Sequence, residues 1–313
     1  MLRLFPVFFF CVFFSCKKDP AFPKIDFIRT DSATSTPPIP LNDSCVGTAC
    51  FFNKRYDEAV FVTTHNAFNA DKGDPVNYLF PNQDYRISKQ LMDGVRGLMI
   101  DVHPGNSADS TGFIKPLVYH GFSWTGSEPF ENVLIEIRQF LDSNPTEIVT
   151  IILECYVTSA EISASMQNSG LTKYLFSHQK GTSWETLKSM IESNKRLVVF
   201  SDVNDAGTYS WYHYLWDYCV ETGYSAHNKE DLNCNYNRGD SANSLFILNH
   251  FITQTMLGTG QPTIAEEINS NPFLINKAKE CMNLHGKLPN FLTVDFYSRG
   301  NVFDAAKELN GLK

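Results

Sequence analysis

The sequence predicts an α/β protein, a (β/α)8 barrel of the TIM type that is either closed or distorted and incompletely closed. Short apolar segments alternate with longer amphipathic ones along most of the 313 residues, a pattern typical of parallel β/α organisation. About eight apolar segments resemble strands, and polar side chains follow them repeatedly. A barrel of this kind uses about 250 residues as one domain, and an open parallel sheet is the alternative.

The predicted strands are rich in β-branched and aromatic residues. Residues 147–155 (EIVTIILEC) are almost continuously apolar, as expected of a strand buried on both faces. The other clear segments are residues 59–64, 95–102, 116–120, 196–201, 244–249 and 290–296. A weaker pattern around residues 214–221 predicts an eighth strand.

Helices are predicted between these strands. Residues 129–143 place apolar side chains on one face at helical spacing, namely Phe130, Val133, Leu134, Ile137 and Leu141. The other predicted helices are residues 87–93, 162–174, 183–193 and 272–284.

Polar side chains stand at or just after the ends of nearly all predicted strands. In chain order they are His65 and Asn66, Asp101 and His103, His120, Glu154, Asp202, Asn249 and His250, and Asp295 and Tyr297. Barrel enzymes build their active sites at the carboxyl ends of the strands. The pattern therefore predicts one polar site assembled from several strands.

The N-terminal residues predict export. Residues 1–15 carry one Arg and a Phe-rich apolar run that is too short to span a membrane and is typical of a signal peptide. Ser15 precedes Cys16, as in a bacterial lipoprotein cleavage box, so we expect an acylated Cys16. The predicted location is the periplasmic or cell-surface face of the outer membrane. The alternative is an ordinary signal peptide with an incidental Cys.

A linker and one domain are predicted to follow. Residues 16–44 are rich in Pro, Ser and Thr, as in an extended spacer, and residues 45–313 form the barrel, which we expect to be monomeric. Six cysteines remain beyond Cys16 and can form disulfides after export. Cys45 with Cys50, and Cys234 with Cys281, are the two pairs that we favour. The spacing of the cysteines does not suggest a zinc site, and the connectivity stays open.

The charge excludes some partners. Hydrophobic residues make up 43% of the chain and the formal net charge is −8, so a large core is possible and a basic nucleic-acid-binding face is not expected. Long-range attraction to anionic lipids is not expected either. Any contact with a membrane must come from an anchor or from local apolar groups.

Five motifs occur in one order along the chain. They are THNAF (64–68), GVRGLMIDV (94–102), YHG (119–121), FLDSNPTEIVTIILE (140–154) and PNFLTVDFY (289–297). Together they resemble the catalytic X region of phosphatidylinositol-specific phospholipase C, and more closely the secreted phospholipase-C-like phosphodiesterases of plants, fungi and bacteria. The resemblance runs from about Lys54 to Lys313.

The resemblance implies an acid–base pair. His65 falls on the family's general base and His120 on its general acid, and Asp295 is implied to orient His65 as a triad Asp does. Imidazole titrates near neutrality, so two histidines can remove one proton and deliver another. A structural role is the alternative for either histidine taken alone.

The resemblance also implies calcium. In the calcium-dependent relatives, the ligand positions correspond to Asn66, Asp101 and Glu154, and such oxygen ligands suit Ca²⁺. Calcium-independent relatives carry an Arg at the position of Asp101. Met99 stands where many metal-using relatives carry another acid, which Asp202, water or backbone oxygens would have to replace. The alternative is that Asp101 and Glu154 pair with Arg96 in a structural network.

The function implied is that of a phosphoric diester hydrolase acting on a phospholipid or inositol phosphodiester. With phosphatidylinositol, the products would be a cyclic inositol phosphate and diacylglycerol. A glycerophosphodiester or sphingomyelin phosphodiesterase is a close alternative. A non-catalytic, ligand-binding surface lipoprotein is the alternative from another class. We expect the enzyme to bring His65 and His120 to a common pocket.

Overall fold

A curled sheet forms the centre of the structure, a computed structural model that describes residues 48–73, 76–105, 114–253 and 260–312. These residues all belong to the unit Pro40–Lys313. The predicted signal peptide, Cys16, the linker and Cys45 lie outside the described residues. The strands are β1 (Phe61–Thr64), β2 (Ala70–Lys72), β3 (Gln83–Tyr85), β4 (Gly97–His103), β5 (Leu117–Val118), β6 (Glu128–Pro129), β7 (Val149–Cys155), β8 (Leu197–Ser201), β9 (Tyr212–Tyr214), β10 (Cys219–Thr222), β11 (Tyr236–Arg238), β12 (Leu245–His250) and β13 (Phe291–Val294).

Eight of the strands are parallel neighbours, in the order β10-β12-β13-β1-β4-β7-β8-β9. Within the described residues, β9 and β10 do not pair, and β11 runs antiparallel along the outer edge of β10. Only the turn Leu215–Asp217 and Tyr218 separate β9 from β10, which leaves no room for the crossover that neighbouring parallel strands need. The prediction of a distorted, incompletely closed barrel is confirmed.

Two strand predictions were wrong in detail. Residues 116–120 do not form a barrel strand, because β5 is short and runs antiparallel to β4 and β6. Residues 214–221 contain parts of two barrel strands, β9 and β10, rather than one. Apolar runs do not reveal strand direction. The predicted number of barrel strands, eight, was therefore right, although residues 116–120 were counted wrongly and β9 and β10 were counted as one strand.

Seven helices are present in the described residues. They are α1 (Ile87–Asp93), α2 (Phe130–Ser143), α3 (Ser159–Asn168), α4 (Leu187–Glu192), α5 (Pro262–Ile268), α6 (Phe273–His285) and α7 (Val302–Leu309). The predicted apolar face of α2 is buried. The helix α3 begins earlier than predicted, because the Thr158 side chain caps it and Glu161 completes a capping box. The helices α5 and α7 were not predicted.

The parallel strands are buried on both faces. Val62 and Ile151 belong to the core cluster that includes α1, α2, α3, α6 and α7, whereas Phe61, Ile152 and Phe200 belong to a second cluster that includes α4. Side chains alternate between the two faces of a strand, so the second cluster fills the concave side of the sheet. This packing explains why the predicted strand segments are almost continuously apolar.

One of the two predicted cysteine pairs is present, and the other, Cys45 with Cys50, includes a residue outside the described ranges. Cys234 and Cys281 form a disulfide with a Cα–Cα distance of 5.0 Å, which confirms that prediction. Cys155 and Cys219 are buried and free. Of the helices in the described ranges, none is long and apolar enough to cross a membrane.

Candidate active site

Two histidines meet at the edge of β4. Parallel β1 occupies this edge beside Gly97 and Leu98, and antiparallel β5 occupies it beside Val102 and His103. Because β1 and β5 run in opposite directions along this edge, their carboxyl ends point towards each other. The residues that follow the two strands therefore meet between Leu98 and Val102 of β4. His65 follows β1 and His120 lies two residues beyond β5, and their ring centroids are 6.5 Å apart at 76°.

The His65 ring is fixed from two sides. Its Nδ1 lies 2.9 Å from Oδ1 of Asp295, the residue directly after β13. Its face stacks on Phe251 at a centroid distance of 3.9 Å and an interplanar angle of 7°. A carboxylate at Nδ1 favours the tautomer with the proton on that nitrogen, which leaves Nε2 free to accept a proton.

A buried amide network holds Asp295 in turn. Asn82 Nδ2 donates to Oδ2 of Asp295 at 3.2 Å, and Oδ1 of Asn82 accepts from Asn66 at 3.2 Å and from Asn69 at 2.8 Å. All four side chains are buried. Neither Asn82 nor Asn69 was expected from the sequence, because neither follows a barrel strand and their spacing from Asp295 carries no recognisable pattern.

His120 has a lowered basicity. Burial, and then the nearby His65, lower the pKa of His120 to about 4, while Glu154 and Asp295 act in the opposite direction. Burial disfavours the charged imidazolium because the protein solvates it less well than water does. His120 is therefore neutral at pH 7 in the ligand-free protein.

Three carboxyl groups lie on, or directly after, neighbouring strands near their carboxyl ends. Asp101 and Glu154 are register partners on β4 and β7, and Asp202 directly follows β8. Burial, followed by the charges of Glu154 and Asp202, raises the pKa of Asp101 well above its usual range. The Tyr156 hydroxyl donates a hydrogen bond to Glu154. These carboxyl groups repel one another.

The structural alternative for Asp101 and Glu154 does not hold. Arg96 instead donates from Nε to Glu147 at 2.7 Å and stacks on Phe140. Across the described part of the chain, neither Asp101 nor Glu154 forms an ion pair with Lys or Arg. Their mutual repulsion is therefore not compensated by a basic side chain bound to them.

The chemistry of these groups suits a hard cation. Asp101 and Glu154 supply uncompensated oxygens, and Asn66 uses its amide nitrogen for Asn82, which leaves its side-chain oxygen available as a ligand. Asn66 adopts a left-handed backbone conformation with φ of 46°. No group of three or more His, Cys, Asp or Glu side chains within the described ranges is gathered closely enough to hold a metal ion.

The site opens into a cleft whose empty space, counted together with the open solvent at its mouth, is about 530 Å³. His65 lines this cleft, whereas His120, whose ring centroid is 6.5 Å from that of His65, is not among the described residues that line it. The cleft is lined by His65, Met99, Ile100, Asp101, Ile152, Leu153, Glu154, Asp202, Leu215, Glu221, Tyr224, Arg238, Ile247, Asn249 and Phe251.

Other polar residues named from the sequence are engaged elsewhere. His250 is fully buried, its Nε2 donates to the Ile268 carbonyl at 3.0 Å, and burial lowers its pKa to about 4. His103 stacks between Tyr119 and Tyr156. The Tyr297 hydroxyl donates to Asp93 at 2.7 Å. None of the three named residues lines the cleft.

The sequence has identifiable relatives. Residues 51–310 match the family described as PI-PLC X 1. A PI-PLC X domain-containing protein of Arabidopsis thaliana is 34% identical over 82% of this chain and 62% of the relative. A PI-PLC X domain-containing protein of Arthroderma benhamiae is 23% identical over 86% of this chain and 90% of the relative. The chain thus spans less than two thirds of the Arabidopsis protein.

Solved structures share the fold. A phosphatidylinositol-specific phospholipase C of Staphylococcus aureus superposes with a TM-score of 0.55 and 16% identity, over 84% of this chain and 95% of the other. The enzyme of the same name from Listeria monocytogenes superposes with a TM-score of 0.53 and 16% identity, over 83% and 94%. With the family match over most of its length, this chain belongs to the PI-PLC X-domain family.

Proposed function

We propose that the protein is a phospholipase-C-type phosphoric diester hydrolase that uses His65 and His120 as its acid–base pair. The observation that carries this proposal is the pair of imidazole rings 6.5 Å apart, of which the first lines the cleft and is bonded to Asp295. Membership of the PI-PLC X-domain family supports it independently.

His65 is the proposed general base. A hydroxyl group next to the phosphodiester attacks phosphorus, and Nε2 of His65 accepts the hydroxyl proton as the new P–O bond forms. Asp295 keeps the other ring proton on Nδ1 and stabilises the imidazolium that results, as in a catalytic triad. Stacking on Phe251 limits rotation of the ring.

His120 is the proposed general acid. It donates a proton to the oxygen that leaves when the second P–O bond breaks, so that phosphatidylinositol would yield a cyclic inositol phosphate and diacylglycerol. At a pKa of about 4, unliganded His120 is the neutral imidazole at pH 7 and not the imidazolium that acts as an acid. A phosphodiester anion bound beside the ring favours the imidazolium, so His120 takes up a proton from solvent when the substrate binds and passes it to the leaving oxygen.

Calcium is the proposed cofactor, held by Asn66, Asp101 and Glu154. When bound, Ca²⁺ would offset charge on the phosphoryl oxygens and make the attacking hydroxyl more acidic. The uncompensated carboxyl groups support this assignment. Met99 lines the cleft where many metal-using relatives carry an acid, so we expect weak affinity, with Asp202, whose charge acts on Asp101, as the additional carboxylate.

A lipid substrate is supported by the surface beside His120. Phe122 and Trp124 follow it, stack at 5.9 Å, and are 55% and 66% exposed. Exposed aromatic side chains favour the boundary between water and lipid.

We also propose export as a bacterial lipoprotein anchored through acylated Cys16, and export is in keeping with a 26% identical fungal relative named as a secreted protein.

A non-catalytic binding protein is the second candidate, and Met99 is the observation that favours it. An apolar side chain in place of a ligand would weaken calcium binding and leave the cleft able to hold a headgroup without cleaving it. In that case, the barrel would act as a receptor for phospholipid headgroups.

The test is hydrolysis of phosphatidylinositol in mixed micelles by the full chain, with Ca²⁺ or with a calcium chelator. His65→Ala and His120→Ala should each abolish turnover. The matched control is His227→Ala, because His227 is exposed and bonds the Thr253 carbonyl outside the cleft. Wild-type protein without activity on any phosphodiester offered would favour the binding protein, and activity that survives chelation would remove calcium from the mechanism.

A further inference from the structure

The residues directly after His65 and Asp295 share an uncommon backbone conformation. Asn66 and Phe296 both have a φ of 46°, in the left-handed region. Side chains rarely adopt this region, and a bulky aromatic residue does so only where the surrounding structure imposes it. The chain therefore turns sharply beyond each of the two residues whose side chains are bonded to each other. Contacts from elsewhere in the fold must hold these two turns.

The Gln83 side chain contacts both turns. It lies on β3, which is not part of the parallel barrel, and it is fully buried. Its Nε2 donates to the His65 carbonyl at 2.8 Å and to the Val294 carbonyl at 3.2 Å. Its Oε1 accepts from the Tyr297 amide at 3.2 Å. Both donor hydrogens and the acceptor of this one amide are thus used on the chain around the two turns.

The residue before β3 adds two further contacts. The Asn82 carbonyl accepts from the Phe296 amide at 2.8 Å, while the Asn82 side chain donates to Asp295. The His65 amide donates to the Val294 carbonyl at 3.0 Å, which continues the pairing of β1 with β13 to this level. Beyond that level, the segment at the start of β3 ties the chain after β1 to the chain after β13.

The position of Gln83 excludes a direct contact with substrate. Its side chain has no exposed surface, and it is not among the described residues that line the cleft. Any effect on the reaction must therefore pass through His65 and Asp295, whose bonded atoms lie 2.9 Å apart. Catalytic geometry is sensitive to such support, since a displacement of about 1 Å in a positioned group can cost roughly 100-fold in rate.

We propose that Gln83 is a positioning residue for the His65–Asp295 pair, because its amide joins the turn after β1 to the turn after β13. The inference rests on the proposed function for its effect on the reaction, but the hydrogen bond of the His65 ring can be observed without turnover. Gln83 then sets the distance between the base and its carboxylate, while His65 and His120 perform the reaction.

Asn290 is a matched control for Gln83. It directly precedes β13 and is also fully buried. Its Nδ2 donates to the carbonyls of Asp57 and Ala59 at 2.9 Å and 3.1 Å, and its Oδ1 accepts from the Phe246 amide at 3.0 Å. Both side chains therefore join neighbouring segments through two donated bonds and one accepted bond to the backbone. Asn290 does so at the amino ends of the strands, whereas Gln83 acts at the carboxyl ends, where the site lies.

The test compares the wild-type full chain with Gln83→Glu and Asn290→Asp. Each substitution replaces one NH2 group by an oxygen of similar size, which turns a double donor into an acceptor that faces two carbonyls. Burial and these carbonyls raise the pKa of the new carboxyl, so the comparison with wild type is made over a range of pH. Gln83→Met removes the same hydrogen bonds without adding a charge, and it is measured beside them in case the ionised variant unfolds.

The measurements are kcat and KM on phosphatidylinositol, the NMR resonance of the His65 Nδ1 proton, and the melting temperature. Once its carboxyl ionises, Gln83→Glu should lower kcat roughly tenfold to 100-fold with little change in KM, and the Nδ1 proton should exchange faster with water. Lower pH should move both values back toward those of wild type at the same pH, because a protonated carboxyl donates one hydrogen bond again. Gln83→Met should lower kcat similarly at every pH. Asn290→Asp should lower the melting temperature comparably and leave kcat and the Nδ1 proton unchanged.

The outcomes separate the two proposals. Faster exchange of the Nδ1 proton in the Gln83 variants, and not in Asn290→Asp, in a protein without hydrolytic activity would reject the proposed function and keep the positioning role. Hydrolysis with kcat and the Nδ1 proton unchanged in both Gln83 variants would reject the positioning role alone. An equal fall of kcat in Asn290→Asp would also overturn it, because general loosening of the strands would then explain the loss.

Discussion

The contact between Asp295 and His65 allows a prediction about the proton on the His65 ring. Oδ1 of Asp295 accepts from Nδ1 of His65 and Oδ2 accepts from Asn82. In Asp295→Asn, one of these oxygens becomes an NH2 group, which can only donate. If it faces His65, the ring must carry its proton on Nε2 and can no longer act as a base there. If it faces Asn82, two NH2 groups oppose each other.

The magnitude follows from these alternatives. A hydrogen bond to a charged group contributes about 1.5–3 kcal/mol, so either arrangement should lower kcat by roughly 10-fold to 150-fold, at about 1.4 kcal/mol for each factor of ten. The assay is kcat on phosphatidylinositol, together with the ¹⁵N chemical shifts of the His65 ring, which report its tautomer whether or not the protein turns over.

A second substitution should restore the site. In Asn82→Asp with Asp295→Asn, the amide at 295 can turn its oxygen to His65 and its NH2 to the new carboxylate at 82. That carboxylate still accepts from Asn66 and Asn69 through the oxygen that does so now. We expect the double variant to recover most of the lost kcat and the original tautomer. Wild-type kcat and tautomer in Asp295→Asn alone would refute the reasoning.

Three further predictions concern other parts of the molecule. The His120 ring should titrate with a pKa of about 4 in NMR, and this pKa should rise when phosphate binds. Because the folded-state pKa lies below the unfolded one, protonation should destabilise the fold as pH falls from about 6.5 toward 4. An NMR titration midpoint near 6.5 would contradict the burial of the ring. Replacing both Phe122 and Trp124 by Ala should reduce binding to phosphatidylcholine vesicles several-fold and leave cleavage of a short-chain soluble substrate unchanged, whereas equal loss on both substrates would place these side chains in catalysis instead. Replacing Cys234 and Cys281 by Ser should lower the free energy of unfolding by up to about 4 kcal/mol, since the bond closes a 47-residue separation, and an unchanged denaturation midpoint would show that the bond contributes nothing.

Local patterns in the sequence were sufficient for the strongly apolar elements. The strand β7 and the helix α2 were predicted because burial on both faces and burial on one face leave different periodicities in the chain. The short strands β5 and β9 were misassigned, because two or three residues cannot show a period or a direction. The distorted, incompletely closed barrel depends on the short connection between β9 and β10, which is a property of geometry rather than of composition.

The same distinction between local pattern and tertiary structure applies to the candidate site. The sequence by itself identified the candidate residues, since His65, His120 and Asp295 stand in motifs at or near predicted strand ends. Only the tertiary structure decided that β1 and β5 bring the two histidines together, that Asn82 supports Asp295, and that Arg238 faces the cleft. These relations join residues that are far apart in the chain, with His65 and Asp295 separated by 230 positions, and no local pattern records which distant groups will share one space after folding.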